Sequence, residues 1–544
     1  MALHTSWYER LARLGALLVC VTIVSACGGG GGSAANNSGS GSGSDTGGSG
    51  SGSGGSSGGG SSSSGGSSGG SSSGSGGGSG GSTTASTCTS TNTAVSCPPW
   101  TWAGGSIFAG ANGVYNTQGE PGASNVPGAR SGAVGWSDAS GNLWLFGGQG
   151  EDSVGNNAQP LNDLWQYNRS QKQWTWMSGS NVYGALSVYG TQGAPAATNV
   201  PGARSGAASW MDASGNLWLF GGFQQAAGVL NPPDQLLNDL WEYSPTSKEW
   251  TWVSGSSAAN ATGSYGTLGQ GATQNVPGAR FGAVSWIDAA GNLWLFGGYG
   301  WDASSGTPNI LNDLWEYSPA QKKWTWSSGS STAGASGVYG TQGTPGSDNV
   351  PGARTGATSW IDASGNLWLF GGCQVAATAV NTPLTFFNDL WTYSPTSRQW
   401  TWVGGSTAVN AHGTYGTQGV PGTANAPGSR TGAVAWKDAS GNFWLFGGFG
   451  ADSGQSDFYG GYLNDLWVYN SSSRQWTWVS GSNLIDAGGV YGTQGSPAAT
   501  NQPGARSGAV AWTDLSGNVW LFGGFGLAGT DSGSDGYLND LWMD

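Results

Sequence analysis

The stretch Pro277-Gly-Ala-Arg280-Phe-Gly-Ala-Val-Ser-Trp286-Ile-Asp288-Ala-Ala-Gly-Asn292-Leu-Trp-Leu-Phe296-Gly-Gly298 decides the fold. It holds two short apolar runs bounded by turn residues, and the second, Leu-Trp-Leu-Phe, has no polar position at all. A strand with one wet face alternates, whereas a strand apolar on both faces asks for cover on both sides. Further on, Leu311-Asn-Asp313-Leu-Trp315-Glu-Tyr317 and Trp324-Thr-Trp326 add two more runs of strand composition. The unit therefore reads as four strands: a (Arg280 to Trp286), b (293–296), c (313–317) and d (324–326).

Six copies of this unit fill most of the chain. They open at Pro127, Pro201, Pro277, Pro351, Pro427 and Pro503, at spacings of 74, 76, 74, 76 and 76 residues. Self-similarity at a fixed period marks a repeat architecture, in which each unit buries its faces against its neighbours. Four-stranded sheets that cover both faces with copies of themselves close into a ring, so the expected fold is an all-β, six-bladed β-propeller over residues 99–544. The last unit stops after strand c, while an unpaired d-like run, Trp100-Thr-Trp102, precedes the first. The N-terminal run is thus expected to supply the outer strand of the C-terminal blade, which leaves no long exposed edge. Thirty of the 32 tryptophans fall at repeat positions, with only Trp7 and Trp301 outside them, so tryptophan reads as core material.

A hydrophobic strand ending in Gly-Gly, then a Tyr, then a Trp after six intervening residues resembles the kelch family. Tyr167 to Trp174, Tyr243 to Trp250, Tyr317 to Trp324, Tyr393 to Trp400 and Tyr469 to Trp476 all keep that spacing. The resemblance implies four-stranded kelch-like blades; the units here depart from it by carrying about 25 residues more than the roughly 50 usual in a kelch repeat. Galactose oxidase is a kelch-type propeller whose copper centre needs histidines, and after the leader this chain has only His412. That chemistry is not expected, and no cofactor is.

Arg10 and Arg13, the apolar run 14–24 and small residues before Cys27 have the layout of an export signal. The junction Val24-Ser25-Ala26-Cys27 resembles a bacterial lipobox, which implies cleavage after residue 26 and lipid on Cys27. Residues 27–86 are nearly all Gly, Ser and Thr and cannot bury a core. A flexible tether of about 60 residues has a root-mean-square reach of roughly 40 to 45 Å. The expected protein is therefore lipid-anchored to a bacterial cell envelope, with the membrane met through the anchor alone. Residues 87–98 form a short segment in which Cys88 and Cys97 are close enough for a small disulfide loop. Cys373 is left as a half-buried free thiol. The formal charge of −13 disfavours nucleic acid and anionic lipid as partners, and a monomer is expected.

Antiparallel order puts the a–b and c–d hairpins on one face, and the b–c loops with the 24-residue d–a connections on the other. The b–c loops differ in length and content, so they are the expected ligand-binding elements, with Trp301, Asp302, Asp457, Phe458 and Tyr459 as candidate contacts. Trp301 has a second reading as local packing. Arg130, Arg204, Arg280, Arg354, Arg430 and Arg506 begin the innermost strands; they either hold an anionic ligand or pair with the strand-c aspartates Asp163, Asp239, Asp313, Asp389, Asp465 and Asp540. The Asp-x-x-Gly-Asn turns (Asp138 to Asn142 and counterparts) carry oxygen ligands suited to Ca²⁺, but a hairpin turn explains them. Acidic loops such as Glu151-Asp152, Asp452 with Asp457, and Asp531 with Asp535 lack an ordered ligand spacing, which leaves metal binding open. No nucleophile–base set, His/Cys cluster or phosphate cradle appears. The expected function is a non-catalytic surface binding or adhesion module for protein or glycan. The alternatives are a carboxylate-dependent carbohydrate-active enzyme, which needs only two placed acids, and a spacer without a ligand.

Overall fold

The computed structural model describes residues 89–90, 95–155, 158–225, 235–304, 306–374, 384–454, 460–529 and 535–544. Cys27, the Gly/Ser tract, Cys88 and the loop residues Asp457, Phe458 and Tyr459 lie outside them. Among the described residues there is no helix, and six antiparallel sheets of four or five strands carry the repeat, ordered a-b-c-d from one edge to the other. This all-β architecture fits a β-propeller.

In the third unit, strand a is Val284–Ile287, preceded by the short Arg280–Phe281. Strands b, c and d are Leu293–Gly300, Asn309–Ser318 and Lys323–Ser328. Their register sets Trp286 against Trp294, Leu295 against Trp315 and Tyr317 against Trp324. Every residue of strand b is buried, as a run apolar on both faces requires. The cover comes from the next sheet: Trp286, Trp294, Phe296 and Leu314 form one apolar cluster with Leu367, Leu369, Trp391 and Trp400 of the fourth unit. Burying one Trp side chain removes about 150–250 Å² from water, roughly 4–6 kcal/mol before entropy is subtracted.

The Gly-Gly that ends strand b has a steric cause. Gly297 sits at φ +66°, and a Cβ there would lie 2.7 Å from the Arg354 carbonyl of the next unit. Its neighbour Gly298 uses the same approach to donate its N–H to that carbonyl at 2.9 Å. A second stitch joins the glycines that lie two residues after each strand-a arginine. Gly206 N–H donates to the Gly132 carbonyl, Gly282 to Gly206, Gly356 to Gly282, Gly432 to Gly356, Gly508 to Gly432 and Gly132 to Gly508. These hydrogen bonds return to their starting residue.

The sixth sheet takes its outer strand from the other end of the chain. Thr101–Gly104 pairs antiparallel with Asp535–Met543, with Thr101 opposite Met543 and Trp102 opposite Trp542. The outer edge of each d strand is covered in turn by a d–a connection: Asn275 Nδ2 donates to the Trp324 carbonyl at 3.2 Å, and Asn501 Nδ2 to that of Trp100 at 2.9 Å. At the hairpin end, an ion pair between Arg169 and Asp514 joins the first and sixth sheets.

Candidate functional site

Each strand-a arginine is buried in a site built from its own unit and the connection that leads into it. Arg280 Nη1 and Nη2 donate to Asp313 Oδ1 and Oδ2 at 2.6 and 2.7 Å, Nε to the Gly278 carbonyl at 3.0 Å, and Nη1 also to Gly297 at 3.0 Å. Tyr265 Oη and Trp315 Nε1 donate to the same Asp313 Oδ2 at 2.6 and 2.7 Å. The bidentate pairing recurs at Arg130–Asp163, Arg204–Asp239, Arg354–Asp389, Arg430–Asp465 and Arg506–Asp540, with side chains at most 1% exposed. These arginines are not open to an anionic ligand; their forked donors are consumed by the protein. Burial and then the Asp163 charge raise the Tyr115 phenol well above its ordinary value, so it remains a donor.

The Asp-x-x-Gly-Asn turns are likewise closed on themselves. Asp288 Oδ1 accepts from the backbone of Ala290 and Asn292, and Oδ2 from Asn292 Nδ2 and Trp294 Nε1. The carboxylate thereby fixes the hairpin and pins the first Trp of strand b, an arrangement kept from Asp138 to Asp514. Four protein donors occupy the oxygens that a cation would need.

On the looped face, the aspartates of alternate units act as pins. Asp302 is 3% exposed. Its Oδ1 accepts from Ser304 N–H and its Oδ2 from Ala333 N–H, both at 2.8 Å, tying the b–c loop to the following connection. Asp452 does the same with Gly454 and Ile485, and Asp152 with Val154 and Tyr183. Among the described residues no group of three His, Cys, Asp or Glu side chains is placed to hold a metal ion. Trp301 is half-buried, packs against the cluster of Leu236, Phe281, Tyr299 and Ile310, and donates its indole N–H to Asn260 Oδ1 at 3.3 Å. It therefore stands beside Asp302 as part of a packed loop base.

Two carboxyls of this face are shifted. Glu151 is pushed up to about 7 by burial and then by the charge of Asp152. Asp486 is raised by burial and by Asp535 and Asp452, against a Tyr462 N–H that lowers it. Cys97 is disulfide-bonded; its expected partner Cys88 is outside the described residues. Cys373, expected to be half-buried and free, is instead fully buried and disulfide-bonded. Its place beside Phe386 and Phe449 at the end of strand b removes it from solvent.

Sequence reasoning missed three recurrent contacts: the tyrosine on each strand-c aspartate, the glycine cycle, and the alternate-unit pins. The first two had a signal, since a Tyr in every connection and Arg-x-Gly at every strand-a start repeat without change. The third had a fainter one: Gly150-Glu-Asp152, Gly300-Trp-Asp302 and Gly450-Ala-Asp452 place an aspartate 22 residues after the strand-a arginine in alternate units only. No protein-family model matches the chain.

Proposed function

We propose that this chain is a kelch-like, six-bladed β-propeller closed by its N-terminal strand, displayed on a lipid-anchored tether, and that it serves as a non-catalytic binding or adhesion module for protein or glycan. The glycine hydrogen bonds that return to Gly132, and the pairing of Thr101–Gly104 with the last strand, support the blade count and the closure. One observation carries the binding reading: the polar groups that repeat are spent on internal contacts in unit after unit, and variation in length is confined to the b–c loops of the looped face. An export leader and Cys27 at the head of a Gly/Ser tract support presentation outside the cell.

The test is a glycan and surface-protein binding screen on the full chain. It is followed by exchange of all six b–c loops for the shortest of them. Binding that disappears while the melting temperature holds supports the reading; binding that survives the exchange and moves with hairpin-face substitutions overturns it.

A further inference from the structure

The first turn after strand d is built identically in all six units, yet it carries different side chains. In each, a serine N–H is held by the strand-c asparagine, as in Ser106 with Asn539, Ser180 with Asn162 and Ser482 with Asn464. The serine Oγ then accepts from the N–H two residues on, at Phe108, Val182, Ala258, Thr332, Ala408 and Leu484. The backbone is therefore a fixed perch, while the residue on it and its two neighbours vary from unit to unit. The fifth, sixth and first units, whose a strands touch in that order, present Leu484, Phe108 and Val182, exposed by 53%, 60% and 40%. Beside them lie Ile485 and, on the first b–c loop, Val154, which is 68% exposed. The second and third units present only Ala258 and Thr332, and the fourth Ala408 followed by Val409.

The b–c loops and d–a connections carry charge of one sign. No lysine or arginine occurs in any b–c loop or d–a connection, which together hold eleven Asp and Glu. The cations outside the leader either begin strand a, where they are buried, or lie at the hairpin end: Arg169, Lys172, Lys248, Lys322, Lys323, Arg398, Lys437 and Arg474. Next to the apolar arc, Asp486 occupies a positive-φ position (φ +59°) taken by Gly or Asn in the other units, with Asp452 and Asp535 near enough to raise its pKa. This set differs from the single exposed apolars of other units, such as Val409 at 42%, in that a large apolar side chain fills the perch of three consecutive units.

We infer that the arc of Leu484, Ile485, Phe108, Val182 and Val154 is a docking surface for a cationic polypeptide segment that also carries apolar side chains. Apolar side chains of the partner cover the arc, and its Lys or Arg meet the acidic rim, which steers encounter and sets the sign of the partner. A second copy of this chain is like-charged, and anionic headgroups are repelled by the same rim. The inference rests on the proposed looped-face binding and names the class of partner.

The probe is a fluorescein-labelled amphipathic Leu/Lys peptide of about 18 residues, titrated with the full chain and read by anisotropy. Phe108→Ser with Leu484→Ser is expected to weaken binding by about tenfold or more at unchanged melting temperature. Asp486→Asn with Asp535→Asn should weaken it several-fold and flatten its salt dependence; Asn already stands at the equivalents of position 486, Asn260 and Asn410. Leu268→Gln, which restores the residue found at that connection position in the other units, should change nothing. Equal affinity for the Phe108/Leu484 variant and the parent, or an equal loss with Leu268→Gln, overturns the inference. So does transfer of the effect to neutral phosphatidylcholine vesicles, or to a concentration-dependent dimer. If the Phe108/Leu484 variant keeps peptide affinity while loop exchange abolishes it, only this inference falls; if neither matters, the looped-face reading falls with it.

Discussion

Replacing Asp313 by alanine removes the acceptor shared by four donors. Arg280 Nη1 and Nη2, Tyr265 Oη and Trp315 Nε1 all lie within 2.7 Å of its two oxygens, and neither partner of the ion pair is exposed. The variant leaves a guanidinium charge in a site with no route to water. Breaking a buried pair on one side costs about 3–5 kcal/mol, and each orphaned hydroxyl or indole N–H adds about 1–3 kcal/mol where no water replaces the carboxylate. Asp313→Ala is therefore expected to lose at least about 3 kcal/mol. Arg280→Met with Asp313→Leu removes both charges and should lose less than the single change, although the Tyr265 and Trp315 donors stay unpaired. Equilibrium unfolding in guanidinium chloride, followed by tryptophan fluorescence, measures both. A loss under about 1 kcal/mol for Asp313→Ala, or a double variant worse than the single, would refute the assignment of these pairs as buried structural ties.

Deletion of residues 99–103 should lower the melting temperature well below that of the parent, because it strips the sixth sheet of the strand opposite Trp542 and Met543, whereas deletion of residues 40–80 should leave it unchanged. Cys27→Ser should release the folded protein from the membrane fraction; a variant that stays membrane-bound counts against the anchor. For pH, Glu151 lies at about 7 in the folded chain against an ordinary 4.5, so the folded state holds its proton longer than the unfolded one. Stability should then fall as pH rises from about 4.5 to 7, by at most about 3 kcal/mol. Glu151→Gln should remove that fall, giving a variant more stable than the parent at pH 8 and no better at pH 4.5 in thermal melts.

The strands were legible because their causes are local. Leu-Trp-Leu-Phe can be covered only from both sides, and Asp-x-x-Gly-Asn turns the chain before it. The pairing of Arg280 with Asp313 was one of two readings, since both residues begin strands at the same end of the sheet; burial decides between them. Long-range features were less visible. Nothing in the text of the sequence says that Asp302 reaches Ala333 across a loop, or that Trp301 packs against the cluster of Leu236, Phe281, Tyr299 and Ile310. The perch residues Phe108 and Leu484 were hidden for another reason. The connections look like scaffold because their Tyr-Gly-Thr-Gln-Gly theme repeats, and the variable positions in the turn before it stand out only once the serine turn is seen to be shared.

An experimental structure of the full chain would show whether the proposed ring of six four-stranded units closes with the N-terminal strand completing the last. A closed ring requires six blades, Thr101 opposite Met543, and the Gly132 N–H bonded to the Gly508 carbonyl between the first and last units. A seventh blade, an open seam between the first and last units, or residues 101–104 lying away from residues 541–543 would contradict it.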